Sequence, residues 1–200
     1  ICVLSTKSYT SQLAILSLLC YSVVDKYEEG KKLIQETAGE AESVLKNSEP
    51  IAKELAKKLS KEKDFFLIGR GLAFPSALEG ALKIKEVSYI HAEGFPGGEL
   101  KHGSIALIEE GVPCIVLSTP QTRSLIISNA TELKSRGALI IGVDSEKDPI
   151  YDYFFKVPNV GNANPILMVL PIQLLAYHLA LEKNLDPDKP RNLAKSVTVK

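Results

Sequence analysis

The sequence carries no excess charge of either sign and has few cysteines. Its 24 lysines and arginines balance 24 aspartates and glutamates, so the formal net charge at pH 7 is zero. A balanced chain lacks the basic field that attracts nucleic acid or an anionic membrane, and we expect neither as a partner. Cys2, Cys20 and Cys114 are odd in number, widely spaced and set in apolar stretches. They favour reduced thiols in a cytoplasmic protein over a disulfide or a zinc site.

Long hydrophobic runs and targeting signals are also missing. The apolar run at residues 13–24 is interrupted by Ser17, Cys20 and Ser22, and it is shorter than the roughly 20 apolar residues of a membrane span. No signal-peptide pattern opens the sequence, so we expect no membrane association and a cytoplasmic location. The remaining composition, 45% hydrophobic and 24% charged, is ordinary for a globular domain.

The second half of the chain alternates apolar runs with amphipathic stretches. Runs with strand character cover residues 65–68, 105–108, 113–117, 138–143 and 154–157. Helical spacing predicts helices over residues 73–91, 121–136 and 165–183. Buried strands that alternate with helices are typical of a parallel sheet covered on both faces, so we predict an α/β fold, a three-layer αβα sandwich with a mostly parallel sheet. Ligands of such sheets bind beyond the carboxyl ends of the strands.

The first 61 residues predict helices after a short opening strand. Residues 1–4 are apolar and have the pattern of a strand entered from its middle, and residues 9–28 have helical spacing. Two amphipathic helices are predicted over 31–46 and 49–61, with Pro50 at the start of the second. We place a domain boundary near Gly30, which divides the chain into residues 1–30, 31–183 and a tail, 184–200.

One face of the helix predicted over 73–91 carries charges at helical spacing. Glu79, Lys83 and Glu86 lie at i, i+4 and i+7, on one stripe. A surface salt-bridge ladder is the ordinary interpretation of such a stripe. The small residues around it, Ala77, Gly80 and Ala81 among them, instead favour close packing and a functional group of charges.

Four segments carry a family resemblance. They are ALEGALKIKEVSYIHAE at 77–93, GELKHG at 98–103, LLAYH at 174–178 and DPDKPRNLAKSVTV at 186–199. The chain resembles the C-terminal part of the glucosamine-6-phosphate synthase family, the glutamine-dependent fructose-6-phosphate aminotransferases. The resemblance covers most of the chain and implies a sugar isomerase (SIS) fold, with residues 1–30 as the end of a first SIS domain. On this basis the rest of that first domain and a glutaminase domain are absent from this chain.

The resemblance also implies roles for individual residues. Glu86 is the base that moves a proton between C1 and C2 of the open-chain sugar phosphate, and Lys83 lies beside it. A single carboxylate in a closed site can reach both carbons on the same side of the intermediate. His102 opens the sugar ring and enters the active site from the partner subunit, which implies a homodimer; an imidazole can exchange protons near neutral pH.

The remaining implied site residues lie at the two ends of the chain. Lys195 forms a Schiff base with the ketose carbonyl, which requires shielding that depresses its pKa. Its neighbour Ala194 is small enough for close docking, and the implied substrate-binding residues are Val3, Ser5 and Ala194. We expect no cofactor and no metal. The implied ligands are fructose 6-phosphate and glucosamine 6-phosphate.

Two other functions remain open. The chain could be a stand-alone SIS isomerase or deaminase acting on an amino-sugar phosphate, although the long matching tail argues against it. It could also be a non-catalytic module that binds sugar phosphate and regulates a partner. The presence of Glu86, His102 and Lys195 together argues against a sensor, since binding alone needs none of them.

Overall fold

Five parallel strands form the centre of the molecule. The computed structural model describes residues 3–194. The strands are β1 (Asp64–Gly69), β2 (His91–Pro96), β3 (Pro113–Leu117), β4 (Leu139–Asp144) and β5 (Tyr153–Lys156). They lie in the order β2-β1-β3-β4-β5, and every neighbouring pair is parallel. All five residues of the central strand β3 are buried, which explains its continuous apolar sequence.

Helices cover both faces of this sheet. They are α1 (Lys7–Val23), α2 (Tyr27–Leu59), α3 (Ala73–Ser88), α4 (Arg123–Lys134) and α5 (Asn164–Glu182). One core cluster joins α2, α3 and α5 to one face of the sheet, and a second joins α4 to the other face. The predicted α/β class and its three-layer architecture are therefore confirmed.

The long helix α2 replaces the two helices predicted on either side of Pro50. The prediction was wrong because a proline inside a helix normally breaks it. Here one buried stripe, with Val44, Ser48, Ala52 and Leu55, runs past Pro50 without interruption. Packing of this stripe against α5 keeps the helix continuous, since tertiary burial outweighs a local preference.

Two strand predictions were also wrong, and one strand was missed. The strand predicted over residues 105–108 falls largely in a 3-10 segment, Ser104–Leu107. Of the strand predicted over residues 1–4, the described residues 3 and 4 lie in a bend before α1. The missed strand is β2, at the edge of the sheet, whose sequence HAEGFP includes a glycine and a proline. Those residues are tolerated at sheet edges and hide the strand pattern.

The proposed domain boundary at Gly30 falls inside α2. A Cβ atom at Gly30 would lie 2.6 Å from Cβ of Tyr21, so this glycine lets α1 and α2 approach closely. The division of the chain into three parts remains a proposal.

One described segment, Gly161–Glu182, is long and apolar enough to cross a membrane. Two thirds of its apolar window, 67%, is buried inside the molecule. Because α5 contacts both α2 and α3, its apolar surface is covered by the protein's own helices.

A pair of glycine substitutions tests how tightly β2 holds α3. A Cβ atom at Gly94 would lie 2.8 Å from the Ala77 carbonyl oxygen and 2.9 Å from Cα of Leu78. Backbone cannot yield as a side chain can, so Gly94→Ala should lower the free energy of unfolding by about 1 to 3 kcal/mol. Gly39 in α2 has open space at its Cβ position, and Gly39→Ala should raise it by up to about 1 kcal/mol. Urea unfolding measures both, and equal effects would contradict the close approach.

Candidate functional site

Helix α3 carries the candidate site and is fixed on three sides. It packs on β1, β2 and α5. A Cβ atom at Gly80 would lie 2.9 Å from Cδ1 of Ile172 and 3.0 Å from Cδ2 of Leu67. The absence of a side chain at Gly80 therefore brings α3 close to both the sheet and α5.

The charged stripe of α3 forms one buried cluster. Lys83 Nζ donates a hydrogen bond to Glu86 Oε2 at 2.6 Å and lies 3.3 Å from Glu79 Oε1. The Lys83 side chain is 2% exposed, while those of Glu79 and Glu86 are 13% and 19% exposed. Three charged groups withdrawn from water are not a surface ladder. Such a cluster is costly to bury and contributes little net stability, which makes it a candidate functional site.

Burial distinguishes the two carboxylates. It raises the pKa of Glu79, the nearby Lys83 opposes the rise, and the charge of Glu86 adds to it. Burial likewise raises the pKa of Tyr9, a residue of α1 that bonds to Ser76 and lies near Glu79. Glu79 thus sits at the closed side of the cluster, whereas Glu86 is the member nearest to solvent.

Two clefts flank the cluster. The first, which we call the Lys83 cleft, has a volume of about 190 Å³ and is lined by residues of the opening segment, α3, α5 and the tail: Leu4, Thr6, Lys83, Val87, Gln173, Ala176, Tyr177, Pro187 and Asp188. The second, the Glu86 cleft, has a volume of about 290 Å³ and is lined by Leu82, Lys85, Glu86, Tyr89, Arg191, Asn192 and Leu193. That volume lies near the lower end of small-molecule sites, about 300 Å³.

The tail borders both clefts. Pro190 is buried, and the Arg191 backbone N–H donates a hydrogen bond to the Tyr89 hydroxyl at 2.7 Å. The Arg191 guanidinium lies 4.1 Å from the centre of the Tyr89 ring. The chain after α5 is therefore docked on the end of α3, as far as Leu193 in the Glu86 cleft.

The cluster does not lie at the carboxyl edge of the sheet. Helix α3 begins after the carboxyl end of β1 and ends where His91 pairs with Asp64 at the opposite edge. Glu86 is 13 residues beyond Ala73, about 20 Å along the helix. The expectation from open α/β sheets therefore does not apply to these residues, and the tail docks at the same distant end of α3.

His102 lies away from the cluster within the chain. It ends the 3-10 segment Gly97–His102, which follows the carboxyl end of β2, and Glu86 lies near the amino end of that strand. A six-residue strand spans roughly 20 Å. The His102 side chain is 72% exposed, and its Nδ1 lies 2.9 Å from Glu99 Oε2. Next to it, Gly103 adopts φ +147°, a conformation that favours glycine.

The other predicted site residues lie at the ends of the described chain. Val3 and Ser5 flank Leu4, which lines the Lys83 cleft, and the Ser5 hydroxyl is bonded to that of Ser8. Ala194 is exposed and is the last described residue. Lys195 lies outside the described residues, so its placement remains a prediction.

The remaining histidines, and Cys114, have structural surroundings. His178 Nε2 lies 3.0 Å from Glu49 Oε1 and links α5 to α2, and His91 pairs with Asp64. Burial raises the pKa of Cys114 in β3 to about 12, which makes it an unreactive thiol. Within residues 3–194, no group of three or more histidine, cysteine or acidic side chains is placed to hold a metal ion.

Sequence reasoning missed Gln173, Tyr89 and Arg191. The amide nitrogen of Gln173, on the wall of the Lys83 cleft, is buried with no hydrogen-bond partner among the described residues. In an apolar helix such as α5, a single glutamine is the signal that could have identified it. Tyr89 and Arg191 are separated by 102 positions in sequence, and no local pattern could have paired them.

Known proteins match this chain over its whole length. The SIS domain family model matches residues 58–183. A glutamine–fructose-6-phosphate aminotransferase (isomerizing) of Thermococcus kodakarensis is 45% identical, over 98% of this chain and 35% of its own length. The corresponding protein of Clostridium perfringens is 43% identical, over 100% of this chain and 35% of its own length. This chain thus spans about a third of the length of the curated relatives it matches.

Solved structures of related proteins also align with this chain. The C-terminal domain of glucosamine-fructose-6-phosphate aminotransferase from Francisella tularensis aligns with a TM-score of 0.79 and 30% identity, over 94% of this chain and 57% of that one. A glucosamine-6-phosphate deaminase from Thermotoga maritima aligns with a TM-score of 0.81 and 25% identity, over 98% and 58% of the two chains. The resemblance seen in the sequence is confirmed, and the chain belongs to the SIS domain family, with glutamine–fructose-6-phosphate aminotransferases among its relatives.

Proposed function

We propose that this chain is the isomerase part of a glutamine:fructose-6-phosphate aminotransferase. The enzyme would make glucosamine 6-phosphate from fructose 6-phosphate and ammonia released from glutamine, in the cytoplasm, as a step of amino-sugar biosynthesis toward UDP-N-acetylglucosamine. The observation that carries the proposal is the buried Lys83–Glu86 pair beside a cleft that the C-terminal tail crosses. The curated relatives and the Francisella tularensis structure support it by their names.

Glu86 is suited to proton transfer at carbon. Its Oε2 is held by Lys83 at 2.6 Å, and it is the cluster's most exposed carboxylate, at the wall of a cleft. In the proposed step Glu86 takes a proton from C1 of the imine formed at C2, which gives an enolamine, and returns a proton to C2. The C1 hydroxyl becomes the aldehyde as this happens. The ammonium of Lys83 orients the carboxylate and counters charge that builds up nearby.

Lys195 would activate the ketose. Its amine attacks the C2 carbonyl and water leaves, which forms a Schiff base; ammonia then displaces the lysine and leaves the imine. Leu193, two residues before Lys195, lines the Glu86 cleft. Two residues of chain span at most about 7 Å, which is compatible with this role for Lys195.

His102 would act on a second subunit. It is exposed and lies roughly a strand length, about 20 Å, from Glu86 of its own chain. We therefore propose a homodimer in which His102 of each protomer opens the sugar ring at the other protomer's site.

The deaminase neighbour supports a second candidate. The Thermotoga maritima glucosamine-6-phosphate deaminase shares the fold with a TM-score of 0.81, so a stand-alone amino-sugar-phosphate isomerase or deaminase remains the alternative. The two functions differ in the nitrogen donor. An enzyme that makes glucosamine 6-phosphate only when glutamine is supplied, and releases glutamate in equal amount, is the aminotransferase.

Replacement of Glu86 tests the base. Glu86→Gln keeps the shape of the side chain but cannot accept a proton from carbon, so isomerisation by the complete enzyme should fall by at least roughly 10²-fold. The measurement is exchange of solvent deuterium into C1 and C2 of the sugar phosphate. Glu54→Gln, on the exposed face of α2, is the matched control and should keep full activity. Exchange that persists in Glu86→Gln would assign the base to another residue.

Reductive trapping tests Lys195. Borohydride with fructose 6-phosphate should convert the Schiff base into a stable secondary amine at Lys195, visible by peptide mass spectrometry. Lys195→Arg should prevent trapping, because a guanidinium stays protonated and cannot attack a carbonyl. An adduct found at Lys7 or Lys83 instead would remove Lys195 from the mechanism.

Mixed dimers test whether His102 acts across subunits. Homodimers of Glu86→Gln and of His102→Gln should each be inactive. When the two are mixed and allowed to exchange subunits, half of the dimers contain one intact site, so about a quarter of wild-type activity should return. If His102 served its own chain, both sites of the mixed dimer would be defective and no activity would return.

A further inference from the structure

The end of α3 contains a strained tyrosine. Tyr89 follows the last helical residue and adopts φ +58° and ψ +21°. This left-handed conformation commonly ends helices, but the residue that adopts it is usually glycine, sometimes asparagine. A bulky aromatic residue there is an outlier. Such an outlier persists where the side chain has a role that glycine could not fill, and it suggests where to look for function.

The side chain of Tyr89 makes two contacts with the tail, both with Arg191. Its hydroxyl accepts the hydrogen bond from the Arg191 backbone N–H at 2.7 Å. Its ring lies beneath the Arg191 guanidinium, 4.1 Å from the ring centre to Cζ, well within the range of a cation–π interaction. No acidic side chain among the described residues forms a salt bridge with Arg191. Tyr89 is therefore the main partner of this arginine.

The two contacts fix the tail at a defined point. Pro190, immediately before Arg191, is buried and has a fixed φ angle, so the chain enters the contact in one direction. Asn192 and Leu193, immediately after it, line the Glu86 cleft. We call the pair Tyr89 and Arg191 the clasp. It lies three residues from Glu86 on one side and four residues from Lys195 on the other.

We propose that Tyr89 is a positioning residue whose clasp on Arg191 sets where the tail extends over the Glu86 cleft, and hence where Lys195 can reach the substrate. The inference rests on the proposed function of Lys195. A nucleophile displaced by about 1 Å can lose roughly 10²-fold in rate, so a tail held only by its flanking prolines would place the amine poorly. The clasp does not contact the reacting atoms, but it supplies the missing constraint on the position of the tail.

Substitutions at Tyr89 separate the clasp from the fold. Tyr89→Gly tolerates the left-handed backbone and removes both contacts, whereas Tyr89→Phe keeps the ring and removes only the hydroxyl. Arg191→Ala removes the stacking contact, and Arg191→Lys keeps a cation above the ring. The control is Tyr153→Phe, because Tyr153 makes the same kinds of contact with Lys58, with Nζ 3.4 Å from the hydroxyl and 5.1 Å from the ring centre, far from the tail in sequence.

Two measurements on the complete enzyme test the proposal. Amide hydrogen exchange over residues 190–194, which needs no substrate, should become about two- to fivefold faster in Arg191→Ala, the strength expected of an exposed cation–π pair. It should be faster still in Tyr89→Gly and close to wild type in Arg191→Lys and Tyr153→Phe. Adding Arg191→Ala to Tyr89→Gly should bring no further increase, because the partner is already gone.

Single-turnover borohydride trapping at Lys195 reports the catalytic consequence. Tyr89→Gly should slow trapping and lower kcat at least tenfold with a smaller change in KM, since it releases the tail while leaving the other wall residues of the cleft, Leu82, Lys85 and Glu86, in place. Wild-type exchange over residues 190–194 in Tyr89→Gly would overturn the clasp. Faster exchange with unchanged trapping at Lys195 would overturn its positioning role. Absence of trapping at Lys195 in the wild type would overturn the proposed function of Lys195, and the exchange experiment would still decide whether the clasp exists.

Discussion

The burial of the Lys83 ammonium between two carboxylates is the constraint on which the site depends. A lysine that is 2% exposed would carry a large desolvation cost without partners, and removing Lys83 would leave two neighbouring carboxylates without a counter-charge. The cluster therefore needs α3 to stay packed against the sheet and α5. Gly80 and Gly94 provide the close contacts that hold α3 against α5, β1 and β2. Helix α3 thus carries both the close packing contacts of the fold and the charged groups of the candidate site.

A second buried charge cluster shows what a purely structural one looks like. Asp144, at the end of β4, accepts hydrogen bonds from Arg123 Nε, from the Tyr151 hydroxyl, and from the backbone N–H groups of Ser145 and Glu146. Its side chain is 0% exposed, and its oxygens are shared among four donors. In contrast, Glu86 uses one oxygen for Lys83, and its side chain is open to a cleft. The Asp144 cluster is satisfied internally, while the Glu86 cluster keeps hydrogen-bonding capacity for a ligand.

The sequence predicts those features that depend on local pattern. The buried strands at 65–68, 113–117 and 138–143, the final helix and the stripe of Glu79, Lys83 and Glu86 all have short-range periodicity, and all are present. Features that depend on tertiary contacts could not be predicted. Pro50 stays inside a helix because α5 covers its neighbours, and the edge strand β2 forms because β1 offers it a partner. The site's position on α3, away from the carboxyl edge of the sheet, also depends on tertiary contacts and could not be predicted.

The docking of the tail also depends on tertiary contacts, whereas the charged stripe of α3 follows from local pattern. The shielding that Lys195 requires indicated a docked segment, yet the residue that receives the tail, Tyr89, carries no sequence signal, since tyrosine at a helix end is unremarkable until its φ angle is known. Once the left-handed φ of Tyr89 is combined with the bond from Arg191, the tail's path as far as Leu193 follows. Glu86 and the clasp share the last turn and end of α3, so a shift of that end would move Glu86 and Arg191 together. Such coupling would preserve the placement of Glu86 relative to the docked part of the tail even when the helix itself shifts.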